Sequence, residues 1–250
     1  MHGTRNANER DSAEAVKIRV ILMDNIELIM ADTQTDAFLA KRRSMVESQL
    51  RARGIRDERV LSAMFLVPRH EFVSAEYRDQ AHEDHPIPIG EGQTLSQPYI
   101  VAIMLEALAL KPADTVLEVG TGSGYQTALL AELARQVYSV ERHVSLARAA
   151  QATLARLGYT NVEVVLGDGS HGLPERAPFD AIIVSAAAPQ IPAPLFRQLL
   201  EGGSMVIPVG PAPAQELQLV RKQSGLPVVT DLEGCRFVPL IGSEGYPSGW

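Results

Sequence analysis

Cysteine is almost absent from this sequence. Cys235 is the one cysteine among 250 residues, which excludes an intrachain disulfide and a metal site built from several cysteines. A single thiol fits a reducing compartment, and we therefore expect a cytoplasmic protein. Cys235 itself is expected to be a small apolar residue within a strand.

Basic residues and long apolar runs are also scarce. The 23 Lys and Arg residues are outnumbered by 30 Asp and Glu residues, and the net charge of −7 argues against a broad phosphate-binding surface and a nucleic-acid partner. The longest strongly apolar stretch near the N-terminus, Val20–Met23, is about fifteen residues too short to span a membrane. No small-residue cleavage site follows it, so we expect neither a signal peptide nor a membrane partner.

The distribution of polar, apolar and periodic segments along the chain predicts an extension followed by one domain. Residues 1–35 start with a polar, aperiodic stretch and are predicted to be partly disordered, and the apolar segment Val16–Met30 within them fits neither a helix nor a strand. Residues 36–250 are predicted to form a single domain, whose first part, 36–110, is helical. Its predicted helices run from Asp36 to Gly54, from Asp57 to Pro68 and from Pro98 to Leu110, with a loop rich in Gly, Pro and His from Ala81 to Gln97.

The second part of the domain, residues 111–250, alternates strands with helices. Repeated β-α-β units predict an α/β fold with a doubly wound, mostly parallel sheet that binds ligands at the carboxyl ends of its strands. The predicted strands are Thr115–Val119, Val137–Val140, Val162–Leu166, Phe179–Ser185, Ser204–Val209, Glu216–Arg221 and Arg236–Ile241. The predicted helices are Tyr125–Arg135, Val144–Leu157 and Pro194–Leu200.

A glycine motif is the strongest local signal. Gly120, Gly122 and Gly124 alternate directly after the first strand of this part and directly before a helix. Glycine lets the backbone approach a ligand closely and adopt dihedrals that a Cβ forbids. The G-x-G-x-G spacing does not match the G-x-G-x-x-G dinucleotide fingerprint, and the loop lacks the Lys-Ser/Thr pair of a triphosphate site.

Acidic residues end three consecutive predicted strands. Glu118 precedes the glycines, Glu141 ends the second strand, and Gly167-Asp168 ends the third. Glu141 can accept hydrogen bonds from both ribose hydroxyls of an adenosine, and Asp168 can meet the exocyclic amine of an adenine. Taken singly, each acid is also a common strand-end or turn residue. Together they favour an adenosine pocket, in which Glu118 and Glu141 would suit a positively charged ligand such as a sulfonium with its amino group.

Six further motifs occur in order between about Ala40 and Ile241. They are Val67–Val73 (VPRHEFV), Gly92–Tyr99 (GQTLSQPY), Gly167–Gly172 (GDGSHG), Ala177–Ile182 (APFDAI), Ile207–Gly210 (IPVG) and Arg236–Leu240 (RFVPL). With the glycine motif and its acids, the sequence resembles the class I S-adenosylmethionine-dependent methyltransferases, and through these six motifs it resembles the protein-L-isoaspartate O-methyltransferase family among them. One departure is Leu173, where the family usually carries an aromatic residue.

The resemblance implies a Rossmann-like fold with an N-terminal helical segment, and S-adenosylmethionine as the methyl donor. The methyl group is expected to go to the free α-carboxylate of L-isoaspartyl residues in damaged proteins, which initiates repair through a succinimide. The resemblance assigns Ser96 to the acceptor carboxylate and Thr94 to the cofactor site. The residues themselves leave a second interpretation open, because a serine just before Gln97-Pro98 commonly caps a helix.

No metal is expected, because carboxylate methylation does not require one and His82 and His85 lack a third candidate ligand. The full set of predicted cofactor-binding residues is Thr94, Glu118, Gly120, Gly122, Gly124, Glu141, Gly167 and Asp168. Two other functions stay open: a methyltransferase with another acceptor, such as a small carboxylic acid, and a cofactor-binding protein without turnover. The sequence leaves the oligomeric state undetermined.

Overall fold

The computed structural model describes residues 37–211, 214–247 and 249. The chain divides into two compact units, Met1–Arg43 and Ser44–Trp250. In the first unit the described residues, 37–43, are helical. The extension predicted for residues 1–35, including Val16–Met30, lies outside the described residues. Apart from α1, the elements described below belong to the second unit.

The helices fall close to their predicted positions. Residues 37–44 (α1) are α-helical, followed by a π-helical turn, Met45–Leu50, and a 3₁₀ turn, Arg51–Arg53, that ends at Gly54. The other α-helices are α2 (Glu58–Leu66), α3 (Pro98–Leu108), α4 (Tyr125–Leu133), α5 (Val144–Arg156) and α6 (Ala193–Gln198). Further 3₁₀ turns cover Arg69–Phe72, Ala75–Gln80, Gly169–His171 and Pro174–Arg176.

The strands form one large sheet and one small hairpin. The hairpin pairs β1 (Ile87–Gly90) with β2 (Gln93–Leu95) inside the segment that was predicted to be a loop. The strands of the large sheet are β3 (Thr115–Val119), β4 (Gln136–Glu141), β5 (Val162–Leu166), β6 (Phe179–Val184), β7 (Leu199–Val209), β8 (Gln215–Gln223) and β9 (Leu226–Cys235). Their order is β5-β4-β3-β6-β7-β8-β9, with β3 to β7 parallel and the last two antiparallel. The predicted mostly parallel α/β sheet is confirmed.

The prediction for the last strand is wrong. Residues 236–241 form no strand; β9 lies earlier, at Leu226–Cys235, and pairs with β8 across a two-residue turn. Ser224 and Gly225 at this turn both have positive φ, 52° and 74°, which is the backbone of a tight hairpin turn. The later segment makes only isolated bridges, among them Pro239 with Ala187, since a proline has no N–H to donate to a ladder.

Apolar side chains cover both faces of the central strands, which places the sheet in the middle of the molecule. On one face Val116 and Ile183 pack with residues of α2, α3 and α4, and on the other Leu117 and Ile182 pack with residues of α6. Burial on both faces explains why the central strands are nearly continuous apolar runs. Cys235, the last residue of β9, is half-buried, and burial raises the pKa of its thiol to about 11. Within the described part of the chain, no helix is long and apolar enough to cross a membrane.

Candidate active site

The candidate site is a cavity of about 220 Å³ at the carboxyl ends of the parallel strands. It opens where the strand order reverses, between β3 and β6, which is the position at which open α/β sheets bind ligands. The parallel ladders extend up to this edge, because Gly120 donates its N–H to Val140 O at 2.8 Å and Ser185 donates its N–H to Val119 O at 2.8 Å. The cavity thus has one wall from the β3–α4 loop and one from the β1–β2 hairpin.

The glycine loop needs glycine for both conformation and space. Gly120, Gly122 and Gly124 have φ of 94°, 56° and 89°, a region that side chains with a Cβ disfavour. A Cβ on Gly122 would lie 3.2 Å from Ile89 Cδ1, and one on Gly124 would lie 3.2 Å from Ala150 Cβ. Gly120 and Gly122 line the cavity, whereas Gly124 begins α4 and packs it against α5.

Glu141 lines the cavity and also holds the glycine loop. Its side chain ends β4 and is 5% exposed. One carboxylate oxygen accepts the Gly122 N–H at 2.9 Å and the other accepts the His143 N–H at 2.9 Å. Each carboxylate oxygen has a further lone pair, so both can still accept a hydrogen bond from a ligand.

Glu118 lies behind the cavity instead of lining it. Its side chain is fully buried and accepts hydrogen bonds from Ser139 Oγ at 2.6 Å, Thr127 Oγ1 and Gln126 Nε2 at 3.3 Å. Burial raises the pKa of Glu118 to about 7, although the three donors act in the opposite direction. Gln126 also donates to Ser185 Oγ at 2.7 Å, and both of these residues line the cavity. Glu118 therefore reaches the cavity through Gln126.

Asp168 is engaged by the C-terminal segment. Its carboxylate accepts the N–H and hydroxyl of Ser170 at 2.9 and 2.7 Å and the N–H of Ser243 at 3.0 Å. Burial raises the pKa of Asp168, but these hydrogen bonds outweigh that effect and bring the pKa below its usual range. Neither Asp168 nor Gly167 lines the cavity, whereas the next residue, Gly169, does.

Ser96 and Thr94 lie across the cavity from the glycine loop. Thr94 is an exposed residue of β2, and Ser96 is half-buried between β2 and α3. The interpretation of Ser96 as a helix cap is wrong: the N-cap of α3 is Gln97, and it makes no side-chain cap. Within the described residues the Ser96 hydroxyl makes no hydrogen bond, while the Ser96 carbonyl accepts one from Arg69 Nη2 at 2.7 Å. The hydroxyl is thus available to a ligand.

Part of the cavity wall consists of residues that were not predicted from the sequence. Gln126 and Ser185 carried no motif of their own, although a polar residue at the start of the helix after a glycine loop is a usable signal. The segment 238–241 also lines the cavity, and no local pattern placed it there. Leu173, the departure from the family pattern, is 5% exposed and packs in the apolar cluster with Phe179, away from the cavity lining.

Among the described residues, no group of three or more His, Cys, Asp or Glu side chains could hold a metal ion. His85 contacts Glu83, with Nε2 3.1 Å from Oε2, and His82 is buried beneath the loop.

The cavity residues fit an adenosine-containing sulfonium ligand. The glycine loop leaves room for close backbone approach, the Glu141 carboxylate can accept from ribose hydroxyls, and segment 238–241 adds an apolar wall. A mostly parallel seven-stranded sheet with this loop after β3 and this acid after β4 defines a class I S-adenosylmethionine-dependent methyltransferase.

Comparison with known proteins narrows the class to one family. The sequence model of the protein-L-isoaspartate(D-aspartate) O-methyltransferase family matches residues 40–245. A protein-L-isoaspartate O-methyltransferase from Koribacter versatilis is 58% identical over 216 residues, which are 86% of this chain and 97% of that relative.

Solved structures agree with the family match. A solved protein-L-isoaspartate O-methyltransferase superposes with a TM-score of 0.75 at 31% identity and covers 82% of this chain and 67% of its own. A Plasmodium falciparum methyltransferase of the same description, in complex with S-adenosyl-L-homocysteine, has a TM-score of 0.71 at 28% identity and covers 80% of this chain and 98% of its own. The chain belongs to the protein-L-isoaspartate(D-aspartate) O-methyltransferase family. It transfers a methyl group from S-adenosylmethionine to isoaspartyl residues for protein repair.

Proposed function

We propose that the chain performs this transfer by holding the acceptor carboxylate at Ser96, across one cavity from a cofactor held by the glycine loop and Glu141. The observation that carries the proposal is that an uncommitted serine hydroxyl and the glycine loop line the same cavity. The acceptor side and the cofactor side therefore face each other over a short gap.

On the cofactor side, the backbone of Gly120 and Gly122 lets the cofactor approach closely, and Glu141 accepts hydrogen bonds from the ribose hydroxyls. S-adenosylmethionine supplies the methyl group on a sulfonium centre, which is a good leaving group. Glu141 is already fixed by the Gly122 and His143 N–H groups, so its carboxylate is preorganised before the ligand arrives. Gln126 and Ser185 supply further polar contacts in the cavity.

On the acceptor side, little chemical assistance is needed. A carboxylate is ionised at pH 7 and requires no general base. The Ser96 hydroxyl donates a hydrogen bond to one carboxylate oxygen and leaves the other free to attack. Catalysis then rests on alignment of the acceptor and on exclusion of water by the residues around the cavity.

The substrates that we propose are damaged proteins and peptides with an L-isoaspartyl residue, methylated on the free α-carboxylate. The backbone nitrogen of the following residue then attacks the methyl ester and displaces methanol, so a succinimide forms without further help from the enzyme. Hydrolysis of the succinimide restores aspartate in part. A methyltransferase acting on another carboxylic acid is the second candidate, because the Ser96 hydroxyl by itself does not select a peptide.

Transfer of labelled methyl groups to matched peptides tests the proposal. We expect base-labile label on an isoaspartyl peptide and little or none on its aspartyl twin. Equal labelling of both peptides, or label that survives mild base, would contradict the assignment. Ser96→Ala should bind S-adenosylhomocysteine like the wild type and lose about a hundredfold in turnover. Normal turnover in that variant would remove Ser96 from the acceptor site.

A further inference from the structure

A buried arginine connects the two sides of the cavity. Arg69 belongs to the 3₁₀ turn that precedes the β1–β2 hairpin and is 0% exposed. Its Nε donates to Ala81 O at 2.6 Å, and its Nη2 donates to Ser96 O at 2.7 Å. One planar guanidinium thus holds the backbone of the loop that carries the proposed acceptor-binding serine.

The same guanidinium contacts the residue that follows the glycine loop. Its central carbon lies 4.7 Å from the ring centroid of Tyr125, the first residue of α4 directly after Gly124. The Tyr125 ring is itself fixed, since it packs edge-on against Phe72 at 5.6 Å and its hydroxyl donates to Met64 Sδ at 3.5 Å. Arg69 therefore lies between the end of the glycine loop and the backbone of Ser96.

Burying a cation here carries an energetic penalty. Burial lowers the pKa of Arg69, so the environment disfavours the charged form that arginine nevertheless keeps. Fully buried arginines are rare unless their donors are used. Arg69 uses Nε and Nη2, while its Nη1 is buried without a hydrogen-bond partner among the described residues. A flexible ammonium could not serve two carbonyls and a ring face at once, because only the rigid fork of a guanidinium has that geometry.

We propose that Arg69 is a positioning residue for methyl transfer: through the Ser96 carbonyl and the Tyr125 ring, it sets the position of the Ser96 hydroxyl relative to the glycine loop. The inference rests on the proposed role of Ser96. Alignment dominates this reaction, and a small displacement of the acceptor slows transfer without altering cofactor contacts. The expected signature is a fall in kcat with unchanged affinity for S-adenosylhomocysteine.

The test is a double-mutant cycle between Arg69→Lys and Ser96→Ala. We expect Arg69→Lys to lower kcat for an isoaspartyl peptide at least tenfold, while the Kd for S-adenosylhomocysteine by calorimetry stays within about twofold. In the Ser96→Ala background the same change should have little further effect, because the hydroxyl that Arg69 positions is gone. A variant that is less stable but keeps normal kcat would overturn the proposal, as would fully additive losses.

Arg59→Lys is the matched control. Arg59 also bridges two backbone carbonyls, of Leu110 and of Leu133 (2.6 Å for the latter), but contacts neither Ser96 nor the α4 start. Its variant should leave kcat unchanged, and an equal fall in kcat would show that loss of any such bridge suffices. If Arg69→Lys does not fold, Tyr125→Leu serves instead, because it removes the ring that the Arg69 guanidinium contacts. This variant should likewise have a lower kcat and an unchanged affinity for S-adenosylhomocysteine. A normal kcat in Tyr125→Leu would refute the proposal.

The turnover of Ser96→Ala distinguishes a failure of the acceptor role of Ser96 from a failure of the positioning role of Arg69. Wild-type turnover in Ser96→Ala would refute the acceptor role of Ser96 and, with it, the positioning role of Arg69. If Ser96→Ala is slow and the losses of kcat from Ser96→Ala and Arg69→Lys are additive, only the positioning role of Arg69 is refuted.

Discussion

Glu118 should make the stability of this protein depend on pH. Its carboxyl group is fully buried and has a pKa of about 7, against 4.5 for an ordinary glutamate. An acid whose pKa is higher in the folded state than in the unfolded state stabilises the fold below the unfolded value, and that stabilisation is lost as pH rises through the folded value. The difference between 4.5 and about 7 corresponds to about 3 kcal/mol.

The perturbation is Glu118→Gln, which keeps the shape of the protonated acid and cannot ionise. Its amide oxygen can accept from Ser139 and Thr127, and Gln126 can rotate its amide to accept from the new NH₂ group. Between pH 4 and pH 8 we expect the free energy of unfolding of the wild type to fall by about 3 kcal/mol relative to that of the variant. Above pH 8 the difference should be constant.

Urea denaturation at a series of pH values measures this difference directly. Glu163→Gln is the control, because Glu163 is a β5 residue whose side chain is 44% exposed and pairs with Arg176 at the surface. Its difference from the wild type should vary little over the same range. A constant difference between wild type and Glu118→Gln would show that the pKa of Glu118 is the same in the folded and unfolded states, and the reasoning from burial would be refuted.

Three further changes test the site, the packing and the extension. Glu141→Ala removes a carboxylate that is proposed to accept hydrogen bonds from two ribose hydroxyls, each worth about 1.5–3 kcal/mol. Calorimetry should therefore show that the folded variant binds S-adenosylmethionine at least tenfold more weakly. Unchanged affinity would contradict that role of Glu141. Gly169→Ala places a Cβ 2.5 Å from Val119 Cγ1, so urea denaturation should show a free energy of unfolding lower by about 1–3 kcal/mol. In the control Gly167→Ala the Cβ would lie 3.8 Å from Val140 Cγ1, and the loss of stability should be clearly smaller. Equal losses in the two variants would contradict the packing argument. Deletion of residues 1–35, which lie outside the family match, should keep most turnover, and loss of activity would show that the extension is needed.

Much of this protein follows from local pattern alone. The strands of the parallel sheet, the cap of α2 by Asp57 and the glycine loop depend on residues that are neighbours in the chain. The family signatures have the same local character, which is why they identified the function. Hydrophobic periodicity and turn chemistry act over a few residues, so the sequence shows them directly.

What only the tertiary structure decided depends on residues far apart in the chain. The adenine contact predicted for Asp168 stays a prediction, but the hydrogen bond that its carboxylate accepts from the N–H of Ser243, 75 residues later, is seen only in the tertiary structure. The burial of Glu118 behind the cavity, where its carboxyl accepts hydrogen bonds from three other side chains, follows only from the packing of β3, β4 and α4. The contact of Arg69 with Ser96 joins segments 27 residues apart. Such pairings depend on how whole elements pack, because burial and hydrogen bonding depend on distances in the folded structure. A short stretch of sequence does not contain those distances.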